Sequence, residues 1–207
     1  MSEVIQKITL YDLLGYTVPG TILVSVYIYL FYLKDHLDLI TKYGQFAGYL
    51  FAALIVSGYI CGLTIAEVFA ILCSLPVKSK WFAKGNGIEN IGYDNISDAL
   101  ARAGILKDPE RIQDLKSTMK YMGYMYGIIQ TDSKYTRLHN YASLELVCGN
   151  MAIVSIACFG LYAYAAGRWQ LVIIGLLIGC IFFANYHKLY WRKHFYVLCW
   201  FVEKYSV

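Results

Sequence analysis

The chain has 207 residues, of which 58% are hydrophobic and 15% charged. Soluble domains carry about 25% charged residues, so the deficit points to lipid as the solvent for much of this chain. The net charge of +4 is too small to argue for nucleic acid as a partner, and the six cysteines form no CxxC or other tight pair, which tells against a disulfide framework.

In chain order, the N-terminal stretch carries Glu3 and no small-residue cleavage site after a short apolar core, so it reads as retained rather than as a cleaved signal. Val4–Leu14 loosely alternates apolar and polar residues, as a segment lying flat on a membrane surface does. About 20 apolar residues cross a bilayer as a helix. Four stretches qualify: Gly15–Leu33, Phe46–Val77, Ala142–Ala166 and Trp169–His187. Pro19-Gly20 falls in the first turns of the first stretch, either as a hinge behind an interfacial helix or as the helix start itself.

The loop of 78–141 is too polar for a bilayer. Residues 85–95 are rich in Gly and Asn and predict a loop. Asp98–Ala103 predicts a short helix. Asp108-Pro109-Glu110 predicts an N-cap, a first-position proline and a first-turn acid for a helix reaching about Ile129. Ser133 predicts the cap of a helix continuing into the third span. The expected fold is all-α: a four-helix transmembrane bundle with a small helical cytoplasmic layer. Its segments are 1–77 (N-terminal segment and spans one and two), 78–141 (cytoplasmic loop) and 142–207 (spans three and four with a C-terminal helix).

Orientation follows from the basic residues. Fifteen fall on the side holding both termini and the long loop, against three in the other two connections. Positively charged loops stay cytoplasmic, so both termini are expected inside. Tyr27, Tyr29, Phe31, Tyr32, Tyr43, Phe46, Tyr49, Tyr162, Tyr164 and Trp169 would form the outer aromatic belt, and Trp81, Phe82, Tyr190 and Trp191 the inner one.

Several residues are candidates for function. The second span has a small residue at every fourth position (Gly58, Gly62, Ala66, Ala70, Ser74), and Gly175 and Gly179 repeat the spacing in the fourth. Such faces let helix backbones approach closely, within one bundle or between copies of the chain. Glu67, Glu145, Asn150, Asn185 and His187 fall at similar depth near the inner boundary, and Asp12 joins them from the first span. They predict an inner polar ring, which serves either as a gate or as a hydrogen-bonded layer between helices. Tyr121, Met122, Tyr124, Met125 and Tyr126 mix aromatic and adaptable side chains, as a partner-docking surface or a packed helix face would.

No catalytic constellation is present. His36, His139, His187 and His194 lack zinc spacing, Gly85–Gly87 lacks the GK[ST] of a phosphate loop, and no GxSxG occurs. Neither enzyme activity nor a cofactor or metal is expected.

YDLLGYTVPG (Tyr11–Gly20) resembles the start of small bacterial membrane proteins. RLHNYASLELVCGN entering the third span, and NYHKLYWRKHFYVL leaving the fourth, are similar to membrane effectors encoded in bacterial anti-phage defence loci. In such families a cytosolic enzyme senses infection, often by making a nucleotide messenger, and the membrane protein assembles and permeabilises the inner membrane. The resemblance implies a homo-oligomeric, pore-forming effector served by a cytosolic partner or nucleotide signal. The chain departs from that pattern in having no recognisable nucleotide-binding sensor domain. The alternatives are a non-conducting scaffold that recruits a cytosolic partner and a channel for ions or small solutes.

Overall fold

A computed structural model describes residues 2–34, 44–74, 88–106, 112–132 and 137–206. The expected features at His36, Tyr43, Trp81, Phe82, Gly85–Gly87, Asp108-Pro109-Glu110 and Ser133 lie outside the described residues. All regular structure among the described residues is helical: α1 (Ser2–Ile28), α2 (Ala47–Ser74), α3 (Ile88–Ile91), α4 (Tyr93–Arg102), α5 (Leu115–Gln130), α6 (Arg137–Ala166) and α7 (Gln170–Tyr205), with a π turn at Tyr29–Leu33 and a 3-10 turn at Gly44–Phe46. The chain forms two compact units. One comprises Ile8–Val77 and Ser143–His187; the other comprises Met1–Lys7, Lys78–Ala142 and Lys188–Val207.

The first unit contains four helices long and apolar enough to cross a membrane. Its outward side chains are strongly apolar: Val56, Ile60, Ile71, Ile173, Leu177 and Ile181 are each 60% exposed or more. A water-soluble bundle turns such residues inward, whereas a bundle dissolved in lipid has no reason to. Small residues allow the helices to touch. A Cβ built on Gly20 of α1 would land on the Gly58 carbonyl oxygen of α2, and one on Gly62 would land on the carbonyl oxygen of Tyr16. Side chains are therefore excluded where α1 meets α2, and the Tyr16 and Tyr59 rings pack edge to face at 6.0 Å beside them. Between α6 and α7 a Cβ on Gly175 would lie 2.6 Å from Phe159 Cβ, and one on Gly179 3.0 Å from the Ala152 oxygen.

The second unit has a core of the water-soluble kind. The short helix expected at Asp98–Ala103 is the C-terminal part of α4, which buries Ile96, Ala99 and Leu100 on one face. Helix α5 buries Thr118, Met122, Met125 and Ile129, again at helical spacing. Leu138 of α6 and Val197, Leu198 and Phe201 of α7 complete the cluster with Leu106 and Ile112. Gly104, at φ +72°, ends α4 in the left-handed conformation that glycine adopts without strain.

Four expectations are corrected. Helix α1 runs unbroken from Ser2 through Pro19, so neither a helix start at Pro19 nor a separate interfacial helix is present. The predicted helix from Pro109 to Ile129 is not continuous. Residues 112–114 are non-helical, and α5 starts at Leu115, where Asp114 and Ser117 form a reciprocal capping box. The Ile112 N–H is drawn away to donate to Ser97 Oγ at 2.9 Å. The loop read at 85–95 contains the turn α3 and the start of α4, separated by Gly92 at φ +81°. Finally, the fourth span and the C-terminal helix are one 36-residue helix. At 1.5 Å per residue it is about 54 Å long, well beyond the roughly 30 Å of a bilayer core.

Candidate functional site

Within the first unit, the residues expected to form one polar ring separate. Proline lacks an N–H, so Pro19 leaves the Gly15 carbonyl, four residues back, without its helical partner. Asn150 of α6, fully buried, donates from Nδ2 to that oxygen at 3.1 Å. Asn150 Oδ1 and the Thr17 and Thr21 hydroxyls are buried nearby along α1 and α6, without hydrogen-bond partners among the described residues.

Glu145 is buried on a different side of α6. Cys73 of α2 lies within electrostatic reach of it and hydrogen-bonds Tyr186 of α7. Aromatic rings close this side. Phe69 packs edge to face with Tyr186 at 4.8 Å and sits where a Gly149 side chain would be, while His187 packs edge to face on Phe183 at 4.7 Å. Glu67 and Asn185 are exposed on the outside of the unit. The side chains of Asp12 and Ser74 lie outside the described ones. The five described positions thus give an inward pair on different faces of α6, a partly buried histidine and two outward groups, because helical phase rather than depth sets direction.

The small-residue stripe has a definite partner. Gly58 and Gly62 face α1, and Gly175 and Gly179 face α6, so as a face between copies of the chain these glycines are already occupied. Ala66 is partly buried and Ala70 exposed. Gly15 and Gly149, outside the expected stripes, are also tightly covered, by the side chains of Leu146 and Phe69. Counting four residues back from Pro19 was the available signal for Gly15. Sequence reading also missed an apolar groove of about 510 Å³ walled by Leu23, Tyr27, Cys61, Leu161 and Tyr164.

In the second unit the predicted docking surface is largely core. Met122 and Met125 are buried, and Tyr121 and Tyr126 pack against the same cluster. The Lys193 ammonium lies 5.9 Å from the Tyr126 ring centre. Only Tyr124 of the five, 66% exposed, is presented outward. His194 is buried here, with Nδ1 2.7 Å from the Tyr190 carbonyl. Burial pushes its pKa down to about 4, against the opposing effect of that hydrogen bond. It is therefore a neutral core histidine whose Nδ1–H donates. Among the described residues no three His, Cys, Asp or Glu side chains gather as a metal site requires, and the six cysteines are free thiols.

No protein-family model, curated protein or solved structure matches this chain.

Proposed function

We propose that the chain is a multi-pass protein of the bacterial inner membrane that acts as a homo-oligomer, the pore-forming effector of an anti-phage defence system. Both termini and the second unit face the cytoplasm, where a partner protein or nucleotide signal acts on them. The charge distribution along the sequence and the exposed apolar surface of the first unit support the membrane placement. The resemblance of the segments around spans three and four supports the effector role.

Glu67 carries the argument for self-association. It is exposed on the outside of α2, among Leu63, Val68 and Ile71. It stands about 30 Å along the helix from Ala47, near the inner boundary of the bilayer. A carboxylate on a lipid-facing surface is costly and usually faces protein or water. A second copy packed on this face of α2 would provide that surrounding, leaving the glycine stripe to bind α1.

Native mass spectrometry of the detergent-solubilised protein, paired with planar-bilayer recording, tests this reading. The wild type is expected to be an oligomer that conducts, and Glu67→Leu a folded monomer that does not. A wild-type monomer that never conducts, with or without a cytosolic partner, would sink it.

Exposed Tyr124 on α5 favours a second reading, a non-conducting scaffold that recruits a cytosolic protein. In that case Tyr124→Glu abolishes partner capture and Glu67→Leu leaves function intact.

A further inference from the structure

Helices α6 and α7 each carry an arginine four residues before a tyrosine: Arg137 and Tyr141, Arg192 and Tyr196. Residues at that spacing are neighbours on one helix face. The two tyrosines meet across the helices, their rings stacked with centres 5.2 Å apart and planes at 25°. Tyr196 in turn stacks on Trp200 at 5.3 Å, which fixes the pair from one side. The Tyr141 and Tyr196 hydroxyls are hydrogen-bonded, and both guanidinium groups lie close enough to act on the Tyr141 hydroxyl.

Three other cations of the same unit have partners. Arg102 donates to the Tyr205 carbonyl at 2.9 Å, Lys204 pairs with Asp132 at 3.3 Å, and Lys193 lies over two tyrosine rings. Arg137 and Arg192 are exposed and have no ion pair or hydrogen bond among the described residues. Two guanidiniums without ion pairs, each one helical turn from one of two stacked, hydrogen-bonded tyrosines, make a positive site with phenolic oxygens between them. That chemistry suits a phosphate group, which arginine binds in a bidentate fashion.

We propose that Arg137 and Arg192, with Tyr141 and Tyr196 between them, bind the phosphate of an anionic phospholipid from the inner leaflet. The proposal rests on the membrane reading above. Two sequence positions favour a lipid over a soluble phosphate. Tyr141 immediately precedes the third span and Lys188 immediately follows the fourth, which places the site at headgroup level. Lys188, Arg192, Tyr196 and Trp200 also recur every four residues, giving α7 a stripe that turns from basic to aromatic away from the span. Basic groups at the inner surface attract anionic lipids.

The test uses the full chain in nanodiscs of phosphatidylcholine mixed with phosphatidylglycerol, with retained lipid read by native mass spectrometry. The wild type is expected to retain phosphatidylglycerol preferentially. R137Q/R192Q should lose that preference by about tenfold or more. K116Q/K120Q, which removes two exposed lysines of α5, should keep it. R137K/R192K, which preserves the charge, should keep part of it and so separate lipid binding from a fold defect. The proposal is overturned if the wild type shows no preference, or if the K116Q/K120Q pair loses as much as the arginine pair. It is also overturned if excess inorganic phosphate strips the lipid, which would reassign the site to a soluble anion. A chain that enters neither neutral nor anionic nanodiscs sinks the membrane reading itself, whereas insertion without lipid preference sinks this proposal alone.

Discussion

His194 is a polar residue held in an apolar core, and its chemistry gives that core an acid limit. Its pKa of about 4 lies below the ordinary 6.5 because burial disfavours the imidazolium. Between those values the unfolded chain binds a proton that the folded unit does not, so stability rises with pH across the window. The contribution is complete above about pH 6.5 and is lost as pH falls towards 4, a change of about 3 kcal/mol. Thermal melts followed by near-ultraviolet circular dichroism, which reports on Trp191 and Trp200, should show this loss. His194→Gln should flatten it. An unchanged acid slope in that variant would assign the sensitivity elsewhere. Sequence reading placed His194 only among four histidines without zinc spacing and could not foresee this, since a histidine in an apolar stretch looks the same buried or exposed.

At the scale of the helix, proline and glycine decide how α1 is held. Pro19 frees the Gly15 carbonyl, and Asn150 satisfies it from α6. Asn150→Leu should therefore leave a buried acceptor unmet, at a cost of about 1–3 kcal/mol. Pro19→Ala restores an N–H to α1 and should remove much of that penalty. Unfolding of the single and double variants in detergent should show a coupling of about 1 kcal/mol, and strict additivity would refute the link. The glycines divide in the same way. Gly20→Ala places a methyl against the Gly58 backbone and should lose about 1–3 kcal/mol or more, as overpacked cores do. Gly123→Ala in α5 meets nothing within 4 Å and should gain up to about 1 kcal/mol, because alanine favours the helix. If both variants cost the same in a thermal melt, the contact at Gly20 is not the cause. The spacing of Gly58 and Gly62 was legible in the sequence. That α1 fills it, rather than another copy of the chain, was not, because a periodic stripe states what a helix face can accept and not what arrives there.

Across the whole molecule, two kinds of burial coexist in one chain. The first unit leaves large aliphatic side chains outward and buries Asn150 and Glu145 within, while the second encloses Met125, Ile129, Leu198 and Phe201 completely. Helices α6 and α7 run through both units. The sequence by itself determined the helical class and the four long apolar segments. Length and hydropathy are local sums, and lipid or water reads them without reference to distant residues. It also determined the lopsided distribution of basic residues that underlies the proposed orientation. Only the tertiary structure decided which side each polar group faces: Asn150 and Glu145 inward on different sides of α6, Glu67 and Asn185 outward. It likewise decided that Met122 and Met125 are core and that Arg137 and Arg192 gather around one pair of tyrosines. Those outcomes depend on the rotation of each helix about its axis, which is fixed when distant backbones meet at their smallest residues.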